Sequence, residues 1–508
     1  MAIDPASDAG CVTLPANTSA SDSAEYLLVA QSTGGVPGDT ASFQLESATL
    51  TALLARLSPP RESRARARLG SRGTVARRFD RLLRGLVPAH PSLAGSVRAS
   101  PRGAVARTIS PPTLHSVRTF SVCATLDCNP MNGFDMVTAR VQSVGAHVAI
   151  YVDTLAPAGG LDSAQLDSLT QVFNTHVYTV DTVAFGGPSD IDSNGVVIAL
   201  MTPVVNRLVN AAECSSGGYV AGFVFPYDLF PGQGYPSNNG EIFYTIVADP
   251  SATLSCAHTA GSVDSTLPTT FLHEFQHLIS LNQHILVRGG QQESLWLDES
   301  LSSLAEELGG QSFLPDSATW GVYVAGDVYD AYQYLLAPDQ HFLLQASDTV
   351  LADFGAGWLY LRYLVDQFGS GITLKLEETT DTGPPNVAAQ TGLPFDSTAV
   401  RWALANWVSD LPGFAPPAVL QYKTWSFRPI FASLNAQDPA DFPYAFPLIP
   451  ATGGATNIDL AGYLHAGSGA YARVLQAPQG ASVTLRLTVA LGALGPSLVP
   501  RLAIVRIR

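Results

Sequence analysis

His273-Glu274-Phe275-Gln276-His277, followed by Trp296-Leu297-Asp298-Glu299-Ser300, is the stretch from which the rest of this 508-residue chain is read. Histidines at i and i+4 stand one above the other on a single helix face. That spacing lets both imidazoles reach one tetrahedral Zn2+ at about 2.0–2.1 Å. Glu274 lies between them in sequence but projects to the side, toward a water rather than the metal. Thr269, Thr270, Phe271, Leu272, Phe275, Leu278, Ile279 and Leu281 give the segment an apolar helical face, which puts the histidines on a buried helix.

A second helix reads as Glu299–Leu308, with Gly309-Gly310 as its stop signal. A catalytic zinc site takes three protein ligands and keeps one position open. Glu299 is the first choice for the third ligand, with Glu293, Glu306 and Glu307 as rivals. Glu306 and Glu307, about two turns further on, read as solvated carboxylates or as groups that orient a ligand. Ser303, one turn after Glu299, faces the same way and is a candidate to orient a ligand through a hydrogen bond. Two buried histidines bonded to core carbonyls are the bland alternative for HExxH taken alone; the Glu299 segment argues against it.

HEFQHLI followed by SLWLDESLSSLAEEL resembles the gluzincin metallopeptidases, whose signature is HExxH plus a glutamate in a WLNEG-like segment on the next helix. Within that group it is similar to the hyicolysin-type neutral zinc peptidases (family M30). The resemblance extends from about Val137 to about Leu411. It includes Phe185-Gly-Gly-Pro-Ser-Asp-Ile-Asp-Ser-Asn-Gly195, Met201-Thr-Pro-Val-Val-Asn206 and Gly355-Ala-Gly-Trp-Leu-Tyr-Leu-Arg-Tyr-Leu364. It implies His273, His277 and Glu299 as zinc ligands and Glu274 as general base. Asp298 stands where Asn is usual and Ser300 where Gly is usual, and neither is a ligand position. The implied fold class is α+β: a gluzincin-type (thermolysin-like) catalytic domain with a mixed sheet and active-site helices, joined to an all-β sandwich accessory domain.

The chain is 46% hydrophobic and 14% charged, the balance of an ordered globular protein. No apolar run approaches the roughly 18–20 residues that span a bilayer. Met1-Ala-Ile-Asp4 opens neither a basic nor an apolar leader. Cys123 and Cys128 are spaced for a small loop disulfide, Cys214 and Cys256 are a second candidate pair, and Cys11 is left over. Two disulfides point to an exported protein, extracellular or periplasmic, whose signal lies outside this sequence.

The net charge of −15 hides an asymmetry: residues 56–118 hold 14 arginines against Glu62 and Asp80. Within them Phe79, Leu82, Leu83 and Leu86 form a short amphipathic helix edged by Arg77, Arg78, Arg81 and Arg84. A mobile linker is the preferred reading and an inhibitory pro-segment the second. No nucleic-acid module is visible.

Expected domains are 1–48, N-terminal strands that complete the C-terminal β-domain; 49–118, the arginine-rich linker or pro-segment; 119–416, the peptidase; and 417–508, the β-sandwich. Strands are expected at Glu25–Ala30, Ala41–Leu45, Ala146–Asp153, Gly195–Met201, Ala470–Gln476, Ser482–Thr488 and Leu502–Ile507, and helices at Ser163–Val172 and within 350–411.

Asp190-Ile-Asp-Ser-Asn-Gly195 has the first half of a calcium loop, with Asp190, Asp192 and Asn194 as oxygen ligands. The acid due at the twelfth position is replaced by Met201, and an Asn-Gly turn is the simpler account. The functional expectation is a monomeric zinc endopeptidase acting on peptides or proteins. A non-catalytic binding or adhesion protein and a zinc hydrolase of non-peptide amides or esters are the alternatives. Tyr329, Tyr332, Tyr334, His341, Tyr360 and Tyr363 are candidates for the oxyanion donor.

Overall fold

The computed structural model describes residues 2–4, 10–47, 74–87, 110–345, 350–490 and 498–508. The chain divides into two compact units. One consists of Arg64–Gly326 and Thr373–Gly383; the other of Met1–Ser63, Asp327–Ile372 and Pro384–Arg508. The expected boundary at 416 therefore falls inside a unit. Most of the helices after Asp327 group with the strands of the chain ends: Tyr471 of a C-terminal strand donates to the Ala403 carbonyl at 2.8 Å.

The unit that holds the HExxH segment is built on a six-stranded sheet. Its order is Val117–Cys123, Phe134–Val144, Val148–Asp153, Val197–Met201, Ile242–Thr245 and Gly222–Val224. The middle strands Val148–Asp153, Val197–Met201 and Ile242–Thr245 run parallel, and the outer pairings are antiparallel. Val197–Met201 is buried at every residue, as a strand covered on both faces must be. Helix Ser163–Val172 starts at a capping box between Asp162 and Gln165. Disulfides join Cys123 to Cys128 and Cys214 to Cys256, and Cys11, in the other unit, is free and exposed.

Two helices carry the motif residues: Ala260–Ser280, the histidine helix, and Leu295–Gln311, the glutamate helix. The glutamate helix runs through Gly309 and Gly310 rather than stopping there. A Cβ on Gly309 would fall 2.2 Å from Leu272 Cδ1, so this glycine lets the two helices approach closely. Phe271 and Phe275 pack on Phe173 at 5.6 and 5.5 Å between ring centroids and seat the histidine helix in the core.

In the other unit, strand Ala24–Ser32 lies between Gly469–Gln476 and Pro500–Arg506, antiparallel to both, in a five-stranded sheet. Thr40–Ser47 lies between Asp459–His465 and Val483–Ala490 in a four-stranded one. Side chains of both sheets share one apolar core, among them Leu28, Phe43, Leu45, Val474, Leu485 and Leu502. Helix Leu351–Phe368 ends at Gly369, whose φ of 89° is the left-handed stop that Phe368-Gly369 signals. No helix among the described residues is long and apolar enough to cross a membrane.

Candidate metal centre

The helical spacing of His273 and His277 sets their rings 4.9 Å apart, nearly perpendicular. The close contact at Gly309 brings the glutamate helix alongside, and Glu299 meets both rings. Its Oε2 lies 3.5 Å from His273 Nε2 and its Oε1 3.8 Å from His277 Nε2. A fourth group joins them. Asp80, on a helix spanning Thr74–Leu86, offers an oxygen to the same cluster, in which all ligand atoms lie within 4.8 Å of one another.

Glu299 Oε1 is buried with no hydrogen-bond partner among the described residues. Buried acceptors left this way are costly unless a cation or donor meets them. Two imidazole nitrogens facing carboxylate oxygens make a donor set that suits zinc.

Each histidine is held from behind. His273 Nδ1 lies 3.0 Å from Glu306 Oε1, and His277 Nδ1 lies 3.2 Å from Asp298 Oδ2 and 3.1 Å from Ser302 Oγ. A carboxylate on Nδ1 fixes the ring and leaves Nε2 for a metal. Burial disfavours the charged form of His273, but hydrogen bonds to Glu299 and Glu306 raise its pKa well above the ordinary value. Burial likewise opposes ionisation of Asp298; His277 and Arg84 outweigh it and hold the carboxyl below its usual range.

Glu306 is thus not solvated but buried against a histidine. The serine that reaches a histidine is Ser302, not Ser303, because position 302 points across to the histidine helix, where it also donates to Gln276 Oε1 at 2.6 Å. The rival ligands are engaged elsewhere. Glu293 Oε1 accepts from Ser294 N and Gly383 N, and Glu307 Oε1 accepts from Gln311 Nε2.

Glu274 is buried beside the histidines, and its Oε2 accepts from Val224 N at 3.0 Å, on the edge strand Gly222–Val224. Burial and then the Asp80 carboxylate push its pKa up, the direction a general base working near neutral pH needs. Asp80 itself is pushed up to about 7 by burial and by Glu299. Burial works against the charge of Arg84, and Asp80, Asp298, Glu274 and Glu299 outweigh it.

The proposed oxyanion donors all fall in the other unit, and most are spoken for within it. Tyr334 bonds Ser468, Tyr360 bonds Thr398, Tyr332 donates to Tyr444 O and Tyr363 to Val419 O. Tyr329 packs edge-on to Phe442, and His341 lies 3.7 Å from Asp353.

At the suspected calcium loop Gly195 N donates to Asp190 Oδ1, and Asn194 Nδ2 donates to Asp192 Oδ2. Asn194 Oδ1 accepts from Val196 N at 2.7 Å. Asp190, Asp192 and Glu241 place oxygens within 4.8 Å of one another. Glu241 Oε1 accepts from Ser189 Oγ and Ile191 N, while its Oε2 is buried without a hydrogen-bond partner among the described residues.

No protein-family model matches the chain. Over 210 residues it is 26% identical to the neutral metalloprotease ShpI of Staphylococcus hyicus. The alignment covers 41% of this chain and 43% of that protein, so the chain spans less than half of its relative's length. This is a distant likeness to a metalloprotease.

Proposed function

We propose that this chain is a zinc endopeptidase of gluzincin type, with His273, His277 and Glu299 as metal ligands and Glu274 as general base. The observation that carries the reading is the convergence of both histidine Nε2 atoms on the Glu299 carboxylate, while both Nδ1 atoms are held by Glu306 and Asp298. Zinc, when bound there, supplies the Lewis acidity that acidifies a water and polarises a carbonyl.

The chain's own groups do the rest. Glu274 keeps Oε1 for the proton of the attacking water, because Oε2 is tied to Val224 N–H. It delivers that proton to the leaving amine as the C–N bond breaks. Glu306 and Asp298 keep the two rings in the orientation that ligation requires. The two disulfides support an exported protein. The strands of the chain ends fit an accessory β-sandwich with a stabilising role.

Calcium is our reading for the loop Asp190–Gly195, with Glu241 completing an oxygen set that begins with Asp190 and Asp192. The buried, unpartnered Glu241 Oε2 is what favours it over a plain turn.

The enzymatic reading is tested by metal analysis of the purified chain beside casein hydrolysis, before and after limited trypsin treatment, with and without a chelator. One zinc per chain and chelator-sensitive cleavage are expected. Zinc without cleavage in every arm contradicts the peptidase and favours a non-catalytic or non-peptide role.

A further inference from the structure

The helix Thr74–Leu86 belongs to the arginine-rich stretch that the catalytic reading leaves unused; the rest of residues 49–109 lies outside the described residues. This helix does not behave as a solvated linker. Phe79 and Leu83 are buried, and Phe79 packs edge-on to Phe223 at 5.1 Å, on the strand whose Val224 N–H holds Glu274. The same face turns two charged residues inward. Asp80 enters the ligand cluster, and Arg84, 5% exposed, lies 3.6 Å from Asp80.

Burying an arginine to this degree is unfavourable unless carboxylates surround it. Here Asp80 lies 3.6 Å from Nε, and no guanidinium nitrogen has a hydrogen-bond partner among the described residues, so the helix holds this charge inward at a cost. An ordinary amphipathic helix turns its arginines to water, as exposed Arg78 does. The Asp80–Arg84 pair instead turns inward, and Asp80 reaches the candidate metal centre.

We propose that the helix is a built-in plug: Asp80 supplies a fourth protein ligand in the position a catalytic site keeps open, and the full chain is latent until the helix leaves. The proposal rests on the metallopeptidase reading above. A zinc site with four protein ligands is closed, as in structural sites, whereas hydrolysis needs a free position. Phe79 and Leu83 anchor the plug, and Arg84 neutralises the carboxylates that Asp80 crowds. Arg64, Arg66, Arg68 and Arg72 precede the helix in sequence, and Arg98, Arg102 and Arg107 follow it.

The test uses the full chain loaded with zinc and titrated with acetohydroxamate, a small metal-binding probe, followed by calorimetry. Wild type is compared with Asp80→Ala and with Leu83→Glu, which charges the docking face and leaves the ligands intact. With the open state populated at about 1%, wild type should bind the probe about 100-fold more weakly than either variant. Equal probe affinity at equal zinc content overturns the plug and leaves the metallopeptidase reading standing. Failure of wild type to take up zinc overturns both. Leu83→Glu decides the comparison if Asp80→Ala does not fold.

Discussion

His277 Nδ1 lies 3.2 Å from Asp298 Oδ2, so adjacent residues of the glutamate helix flank one imidazole: Glu299 faces Nε2 and Asp298 braces the ring from behind. Asn is the usual residue here in the family that the motif resembles. A buried carboxylate accepts the Nδ1 proton more strongly than an amide does. Asp298→Ala should weaken zinc binding by about 10–100-fold, the usual effect of losing such a partner. Competition against a chromogenic chelator measures it, and Asp298→Asn should fall between that variant and wild type.

Glu274→Gln should keep zinc and lose hydrolysis by about 100- to 10,000-fold, the span general-base catalysis contributes. The amide oxygen can still accept from Val224 N, so the fold around the edge strand is retained. Turnover of the trypsin-treated variant beside its zinc content checks both halves. Substantial residual turnover would remove Glu274 from its role.

Gly309→Ala should destabilise the protein by about 1–3 kcal/mol, the usual cost of overpacking. The added methyl would meet Leu272 Cδ1 at 2.2 Å and Cγ at 3.1 Å. Either Leu272 turns aside or the helices part, and in the second case Glu299 moves away from the histidines. A lowered Tm together with weaker zinc retention is expected; a lowered Tm with unchanged zinc affinity would show that the contact is structural only.

Calcium should raise the Tm of wild type and leave that of Glu241→Gln unchanged. The variant removes the acid whose Oε2 is buried without a partner and keeps the shape of the side chain. An equal calcium shift in both proteins would exclude Glu241 from the site.

The histidine spacing, the apolar face around it and the Glu299 helix were legible in the sequence because each is a short-range pattern. What was missed is long-range. Asp80 lies 193 residues before His273 and reaches it only through the docked helix, and Glu241 reaches Asp190 only through a parallel strand pairing. The inward turn of Arg84 was invisible because charge on a helix ordinarily marks its solvated face. Gly309-Gly310 was misread as a stop because glycine signals both helix ends and close helix contacts. The boundary at 416 follows the strand pattern that resumes near 417, which does not reveal that most of the helices after Asp327 group with strands from both chain ends.

The most direct test of the central claim is the zinc content of Glu299→Ala beside Glu306→Ala, each in an Asp80→Ala background so that Asp80 cannot stand in as the third ligand. The first removes a proposed ligand, and the second removes only the brace on His273 Nδ1. The account predicts that Glu299→Ala purifies without zinc, while Glu306→Ala holds one zinc per chain with reduced affinity. Stoichiometric zinc in Glu299→Ala, at wild-type affinity, would contradict it.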